Sequence, residues 1–459
     1  MNRTLLRAYH ALPGPVRSAA ASLHGFRLRR WRYGPETESL VAQALERERW
    51  SPSRWAAWQE ERLGLLLARA VSSVPYYRDL WNARRRHGDK ASPEILGNWP
   101  ILSKEQVRAN PQAFIADDCN VREMYHDHTS GTSGTPLDLW WTPATVREWY
   151  ALFEARVRRW HHVSRHDRWA ILGGQLVVPV GRQRPPYGVW NAGLNQLYLS
   201  AYHLSPESVQ WYLDALAGSR IRYLIGYGSA LDTLAHLALE GGHPAPKMAV
   251  AITNAEPLLD LQRVRIQRAF GCAARETYGM AEIVTAASEC AEGGLHLWPE
   301  VGVLEVVGRS TDDDGRGAFV CTGLLNDGMP LIRYAVGDRG AVSHESCSCG
   351  RTLPMLASVD GRNDDVLRTR GGRSVGRLDP VFKAALHVRE AQVIQESLDL
   401  IRVRVVPAQG FGESDREMIV DGLRLRLGDV QIIVEEAAAI PRTANGKLRA
   451  VISNLPSEV

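Results

Sequence analysis

Tyr223-Leu224-Ile225-Gly226-Tyr227-Gly228-Ser229, followed by an apolar-periodic run from Leu231 to Leu239, is the stretch that decides the fold. Its apolar start predicts a strand, its glycines a turn, and the spacing beyond them a helix. The same order recurs on both sides. Trp169-Ala170-Ile171-Leu172 precedes Gly173-Gly174, and Val250-Ala251-Ile252 precedes Asn254-Ala255-Glu256-Pro257 and a helix from about Leu258 to Phe270. Repeated strand, turn and helix predict an α/β fold with a mainly parallel sheet. Ligands of such sheets sit at the carboxyl ends of the strands, so these turns are candidate walls of a site.

Outward from this centre the pattern changes twice. Residues 36 to 90 are helical in period, broken at Ser73-Val74-Pro75-Tyr76-Tyr77, and residues 143 to 162 are helical again. Trp99-Pro100-Ile101-Leu102 leads into Ser103, which suits the N-cap of a short helix. From Gly302 to Val342 short β runs take over: Val303 to Val307, Ala318 to Cys321 and Leu331 to Tyr334. They predict a smaller β-rich subdomain at about 300–360. Beyond Gly361, a strand at Ile401 to Val406, a helix over 413–427 and a strand at Val430 to Val434 predict a compact α+β domain. The expected division is a large domain over 1–363, opened by a helical segment, and a small one over 364–459. A chain of 459 residues exceeds what one core usually fills.

Composition narrows the class. A 45% hydrophobic and 23% charged chain is ordinary for a soluble globular protein. The net charge of +4, with no basic block interleaved with aromatics, argues against a nucleic-acid partner. Arginine supplies nearly all cations; the lysines are Lys90, Lys104, Lys247, Lys383 and Lys447. A lysine that persists against this bias merits a closer look. No run of about 20 apolar residues predicts a membrane span. Met1 to Tyr33 carries seven arginines among Leu, Ala and His, and makes a poor signal peptide. Such a segment either packs on the protein's own body or rests on a membrane surface, and the first is the commoner use. Six cysteines without a secretion signal predict reduced thiols and a cytoplasmic location.

Thr129-Ser130-Gly131-Thr132-Ser133-Gly134-Thr135-Pro136 cannot build a core. Five of its eight residues are hydroxyls, and its glycines let backbone N–H groups converge on an anion such as a polyphosphate. A turn-rich surface linker has the same composition. A phosphate-loop kinase or ATPase requires Gly-x₄-Gly-Lys-Ser/Thr, and this loop has no lysine.

Further motifs follow the loop in one order: Asn254-Ala255-Glu256-Pro257, Thr277-Tyr278-Gly279-Met280-Ala281-Glu282, Arg333 to Asp338, Gly361-Arg362-Asn363-Asp364, and Pro441 to Lys447. The series resembles the adenylate-forming superfamily of acyl-CoA synthetases, and within it the phenylacetate–CoA ligase and CapK-like branch, over about residues 60–452. The resemblance implies an ATP-dependent carboxylic acid ligase. It would form an acyl-adenylate and pyrophosphate, then pass the acyl group to coenzyme A, an amine or a hydroxyl. Thr129, Ser130, Gly131, Thr132, Ser133, Gly134 and Thr135 would hold the phosphates, with Thr132 acting in catalysis. Leu137 and Asp138 stand where many members have a lysine and a glycine. Asn254, Ala255, Glu256, Tyr278 and Gly279 would hold the nucleotide, Asp338 and Arg362 its ribose. Glu282 would bind Mg²⁺. Lys447 would bridge the substrate carboxylate and the α-phosphate, and the mobile C-terminal domain would turn about Asp364. An alternative is a non-catalytic, nucleotide-binding relative acting in polysaccharide synthesis.

Cys347-Ser348-Cys349-Gly350-Arg351 resembles a feature of the phenylacetate-ligase branch. With Cys290 and His296 it makes a Cys₃His set suited to structural Zn²⁺; reduced buried thiols are the alternative. His203, Tyr227 and Gly228 resemble segments that would line the acid pocket. Trp140, Trp141, Trp149 and Trp160 serve either that pocket or the core.

Overall fold

The computed structural model describes residues 3–129, 137–255, 258, 260–308, 315, 317–359, 367–371, 374–375, 378–382, 387–407, 410–441 and 451–455. The chain opens with helices α1 (Arg3–Ala11), α2 (Gly14–Arg32), α3 (Thr37–Arg47), α4 (Pro52–Ser73) and α5 (Pro75–Arg86). The break between α4 and α5 falls at Val74, extended ahead of Pro75, because proline disfavours the helical region for its predecessor. Then come α6 (Lys104–Ala109), the hairpin β1 (Tyr125–His128) and β2 (Asp138–Trp141), and α7 (Pro143–Phe153). α7 continues as a π turn over Glu154–Arg158.

The strands that follow are β3 (Trp169–Gly173), β4 (Gly188–Asn191), β5 (Gln196–Ser200), β6 (Tyr223–Tyr227), β7 (Val250–Asn254) and β8 (Ala273–Gly279). Helices α8 (Val209–Gly218), α9 (Gly228–Glu240) and α10 (Asp260–Phe270) connect them. β9 (Ala286–Glu289), β10 (Leu295–Leu297), β11 (Gly302–Val307), β12 (Gly317–Gly323), β13 (Tyr334–Ser343) and β14 (Met355–Val359) complete one sheet. Its twelve strands run β11-β12-β13-β14-β10-β9-β8-β7-β6-β3-β5-β4. β5, β3, β6, β7 and β8 are parallel neighbours. β8 also pairs antiparallel with β9, and from there outward every pairing is antiparallel.

The α/β expectation holds, with one correction. The β-rich part begins at Ala286 and shares the parallel strands' sheet instead of forming a separate unit from about residue 300. Leu331 to Ile332 lead into β13, which starts only at Tyr334.

The parallel strands are buried on both faces. In β6, Leu224 joins the core under α8, α9 and α10, while Tyr223 and Ile225 join the core under α3 and α7. Gly226 is a close approach: an added Cβ would stand 2.5 Å from the Leu172 carbonyl oxygen.

Buried carboxylates tie the layers together. Glu300 accepts two 2.7 Å bonds from Arg156 and one of 2.9 Å from Arg47. Glu289 is shared by Arg263 and Arg275, and Glu154 by Arg158 and Arg159. Arginine's planar fork suits such shared acceptors, which a lysine point charge matches poorly. Burial raises the Glu300 pKa, but the guanidinium groups of Arg156 and Arg47 outweigh it and hold the carboxyl below its ordinary range.

The C-terminal region has its own core. β15 (Leu367–Arg368) pairs with β16 (Ser374–Val375). A four-stranded sheet runs in the order β19-β18-β17-β20, from β17 (Val388–Gln395), β18 (Leu400–Pro407), β19 (Gln431–Glu436) and β20 (Val451–Ser453). Ile401, Val403 and Val405 of β18 pack with Ile419 and Leu423 of the helix Glu413–Leu427.

Candidate active site

The hydroxyl-rich stretch falls in sequence between β1 and β2, which pair as antiparallel strands. Ser130 to Pro136, Thr132 included, lie outside the described residues; Thr129 and Leu137, which flank them, are described. Thr129 is buried, its N–H donates to the Leu137 carbonyl, and its Oγ1 accepts the Leu137 N–H at 3.0 Å. One hydroxyl of the motif thus closes the loop's base.

Glu282 follows β8 and is 7% exposed. Its Oε1 accepts from Lys104 Nζ at 3.2 Å and from the Tyr334 hydroxyl at 2.9 Å. Lys104 reaches it because Leu102 exchanges backbone bonds with Arg333 and Ala335 at the start of β13. Ser103 then caps α6 in a reciprocal capping box with Gln106, as its sequence predicts. Sequence reasoning did not single out Lys104 as a site residue. Its signal was there: it is one of five lysines in an arginine-rich chain.

Tyr278 and Asp338 also meet. The Tyr278 hydroxyl donates to Asp338 Oδ2 at 2.8 Å across 60 residues of sequence. The register of β12 against β13 shifts beside Asp338, and Gly337 has φ 86° there. A bulge with glycine in the left-handed region turns the next side chain out of the ladder. Gly279, one residue past Tyr278, is exposed.

Asn254 ends β7, and its Oδ1 is buried without a partner among the described residues. Ala255 beside it has φ 66°. Among the described residues, six non-glycines have positive φ; Ala255, Ile283 next to Glu282, and Arg333 next to Tyr334 are three of them. A β-branched residue in this region costs about 1–3 kcal/mol, and such strain collects at functional sites. Glu256, Arg362, Asp364 and Lys447 lie outside the described residues.

A second set of groups gathers at the carboxyl ends of β3, β5 and β6. The Tyr227 ring covers Gly173 and Gly174, and the Tyr202 hydroxyl donates to the Gly174 carbonyl at 2.6 Å. Gly228, buried, starts α9 there. The Arg426 guanidinium of the C-terminal region lies 5.5 Å from the Tyr202 ring centre. His203 follows β5 and is buried. Its Nδ1 bonds the Ser200 hydroxyl and its Nε2 the Pro179 carbonyl, and its ring stacks on Tyr187. Trp140, Trp141 and Trp160 are buried core residues, and Trp149 packs against Trp298.

The Cys₃His expectation has a geometric counterpart. The ligand atoms of Cys290, His296, Cys347 and Cys349 all lie within 4.8 Å of one another. Cys290 and Cys347 sulfurs are 3.6 Å apart, and Cys349 Sγ is 3.3 Å from His296 Nε2. A tetrahedron with Zn–S bonds of about 2.3 Å has S–S edges of about 3.8 Å, so the set fits that ion. His296 Nδ1 donates to the Leu353 carbonyl, which turns the Nε2 lone pair toward the sulfurs.

The overall fold is that of acyl-CoA ligases of the adenylate-forming kind. It superposes on 2-hydroxyisobutyryl-CoA ligase in complex with 2-HIB-AMP and CoA at a TM-score of 0.56 and 21% identity, covering 89% of this chain and 91% of that one. The postadenylation state of that ligase with R3-HIB-AMP gives a TM-score of 0.53 over the same shares, at 21% identity. Within the fold, the chain is similar to CapK and the phenylacetate–CoA ligases. Residues 367–454 match the CapK C-terminal domain. The chain is 25% identical over 402 residues to protein CapK of Staphylococcus aureus, covering 83% of this chain and 85% of that protein. It is 27% identical over 468 residues to phenylacetate–coenzyme A ligase of Thermus thermophilus, covering 92% and 99%.

Proposed function

We propose that this chain is an ATP-dependent carboxylic acid ligase. A carboxylate oxygen attacks the α-phosphorus, the bond to pyrophosphate breaks, and an acyl-adenylate forms. A coenzyme A thiolate then attacks the acyl carbon and AMP leaves. The observation that carries this reading is the convergence of Lys104, Glu282 and Tyr334 from three separate segments, flanking the nucleotide candidates Tyr278 and Asp338.

Such chemistry asks for donors and cations fixed where phosphoryl charge builds. Lys104 supplies a positioned cation beside Glu282, in a chain whose hydroxyl-rich loop lacks its own lysine. The single carboxylate of Glu282 fits Mg²⁺, which takes one or two carboxylates and fills its remaining positions with phosphate oxygens and water. When bound, Mg²⁺ neutralises phosphate charge. Asp338 accepts the ribose hydroxyls and Tyr278 orients it. The hydroxyl-rich loop carries the phosphates, Lys447 bridges carboxylate and α-phosphate, and Asp364 is the pivot of the C-terminal domain. Tyr227, Gly228 and Tyr202 line the acid pocket. Zn²⁺ on Cys290, His296, Cys347 and Cys349 is structural, since four protein ligands leave no open position.

The test is acid-dependent pyrophosphate release with hydroxylamine as the trap. AMP and pyrophosphate are expected; ADP and phosphate would overturn the reading. ATP binding without turnover of any acid would favour a non-catalytic relative in polysaccharide synthesis. Coenzyme A, amines and hydroxyl compounds are then compared as acceptors.

A further inference from the structure

We infer that the outer face of α2 docks the protein on an anionic phospholipid bilayer. The inner face of this helix is already occupied. An added Cβ at Gly25 would stand 1.9 Å from Asn191 Oδ1, and one at Gly193 would stand 2.3 Å from the Phe26 nitrogen. Ser18 and Ser22 hydroxyls accept the Trp190 and Ala192 N–H groups, and Arg17, Gly25 and Leu28 are buried. The helix is therefore seated, and its opposite side is fixed outward.

That side carries Val16, Leu23 and Phe26, exposed by 46%, 74% and 49%. Arg27 and Arg30 are exposed with them. Val16 and Leu23 are seven apart, and Leu23, Arg27 and Arg30 follow at four and three, so all lie along one stripe. A stripe of large apolar groups between arginines is the pattern of an interfacial helix, whose apolar side chains enter the acyl boundary while cations stay at the headgroups.

Charge selects the occupant. The first 35 residues hold seven arginines and no acid; Arg17 is buried, and Arg7, Arg27, Arg29 and Arg30 are exposed. An anionic bilayer complements this, and a flat bilayer suits a convex helix that offers no groove. A nucleic acid would use the arginines but leave Leu23 and Phe26 in water. A second copy would set cation against cation.

The test is co-sedimentation of the full chain with vesicles of phosphatidylcholine alone or mixed with phosphatidylglycerol. Binding is expected to the mixed vesicles and to weaken with salt. Leu23→Glu with Phe26→Glu, and separately Arg27→Glu with Arg30→Glu, should each weaken it by on the order of tenfold or more. Both variants should keep the parent's thermal transition and its pyrophosphate release in solution. Three results overturn the inference: no binding to mixed vesicles, full binding after Leu23→Glu with Phe26→Glu, or a concentration-dependent dimer that the same pair abolishes.

Discussion

Lys104 Nζ stands 3.2 Å from Glu282 Oε1, so a cation from the short helix after Ser103 meets the carboxylate that follows β8. Both side chains are largely shielded from water, at 15% and 6% exposure, which preserves the field of the ammonium. If that charge steadies the phosphates during adenylation, Lys104→Met should lower kcat for pyrophosphate release by about 10²-fold or more, in the range of a lost preorganised donor. ATP binding should fall far less. Equal losses in binding and turnover would assign Lys104 to ground-state binding.

Tyr278 and Asp338 act as one unit through their 2.8 Å bond. Asp338→Ala should raise the KM for ATP by about tenfold or more, as expected for a hydrogen-bonded charge removed. Tyr278→Phe should have a smaller effect, and the double variant should cost less than the sum. Additive effects in that cycle would mean the two residues serve the nucleotide independently.

The four-atom cluster at Cys290, His296, Cys347 and Cys349 predicts one zinc per chain by elemental analysis. Stripping it with a chelator should lower the melting temperature, because the ligands join strand ends to the loop before β14. Cys290→Ser should reproduce the loss. Metal-free protein with an unchanged melting temperature would leave the cluster as packed thiols.

Glu300 holds the sheet to the helices through Arg156 and Arg47. Glu300→Ala takes the nearest anion from Arg156 and Arg47, leaving Arg156 with Glu48 at 3.7 Å, and should cost about 3 kcal/mol in denaturant unfolding, the low end for breaking a buried pair. The pH dependence follows from its depressed pKa. In the unfolded chain the group titrates near the ordinary value of about 4.3. The folded state binds its proton only at lower pH, so the stabilisation is complete above the ordinary value. It is lost as pH falls through the folded pKa. Glu300→Gln should flatten this acid limb; an unchanged limb would place the acid sensitivity elsewhere.

The parallel half of the fold was legible because its strands are apolar runs closed by glycine turns, as in Tyr223 to Ser229. β8 was harder to see. Ala273 to Gly279 is mostly half-exposed and polar, and only its two neighbours make it a strand. Candidate residues, whose roles stay proposals, were legible where a motif carried its own chemistry: Tyr278, Asp338, Glu282 and the Cys₃His set. Lys104 was not, because its role depends on the backbone pairing of Leu102 with β13. His203, expected at the acid pocket, is held by its neighbours. A histidine in a turn at a strand's carboxyl end can face inward, and here the Ser200 hydroxyl and Pro179 carbonyl fix it there.

β8 is parallel to β7 on one side and antiparallel to β9 on the other. Tyr278 lies on this seam, and Glu282 follows directly after it. Ala273 to Glu276 pair with β7 and Thr277 to Gly279 with β9, so backbone bonds pass from one flank to the other within this single strand. The two steps of the proposed reaction would need different company around the same acyl carbon. Under the proposed reaction that exchange would fall to the part of the chain with a sheet of its own, beyond Leu367, whose Arg426 guanidinium lies 5.5 Å from the Tyr202 ring centre.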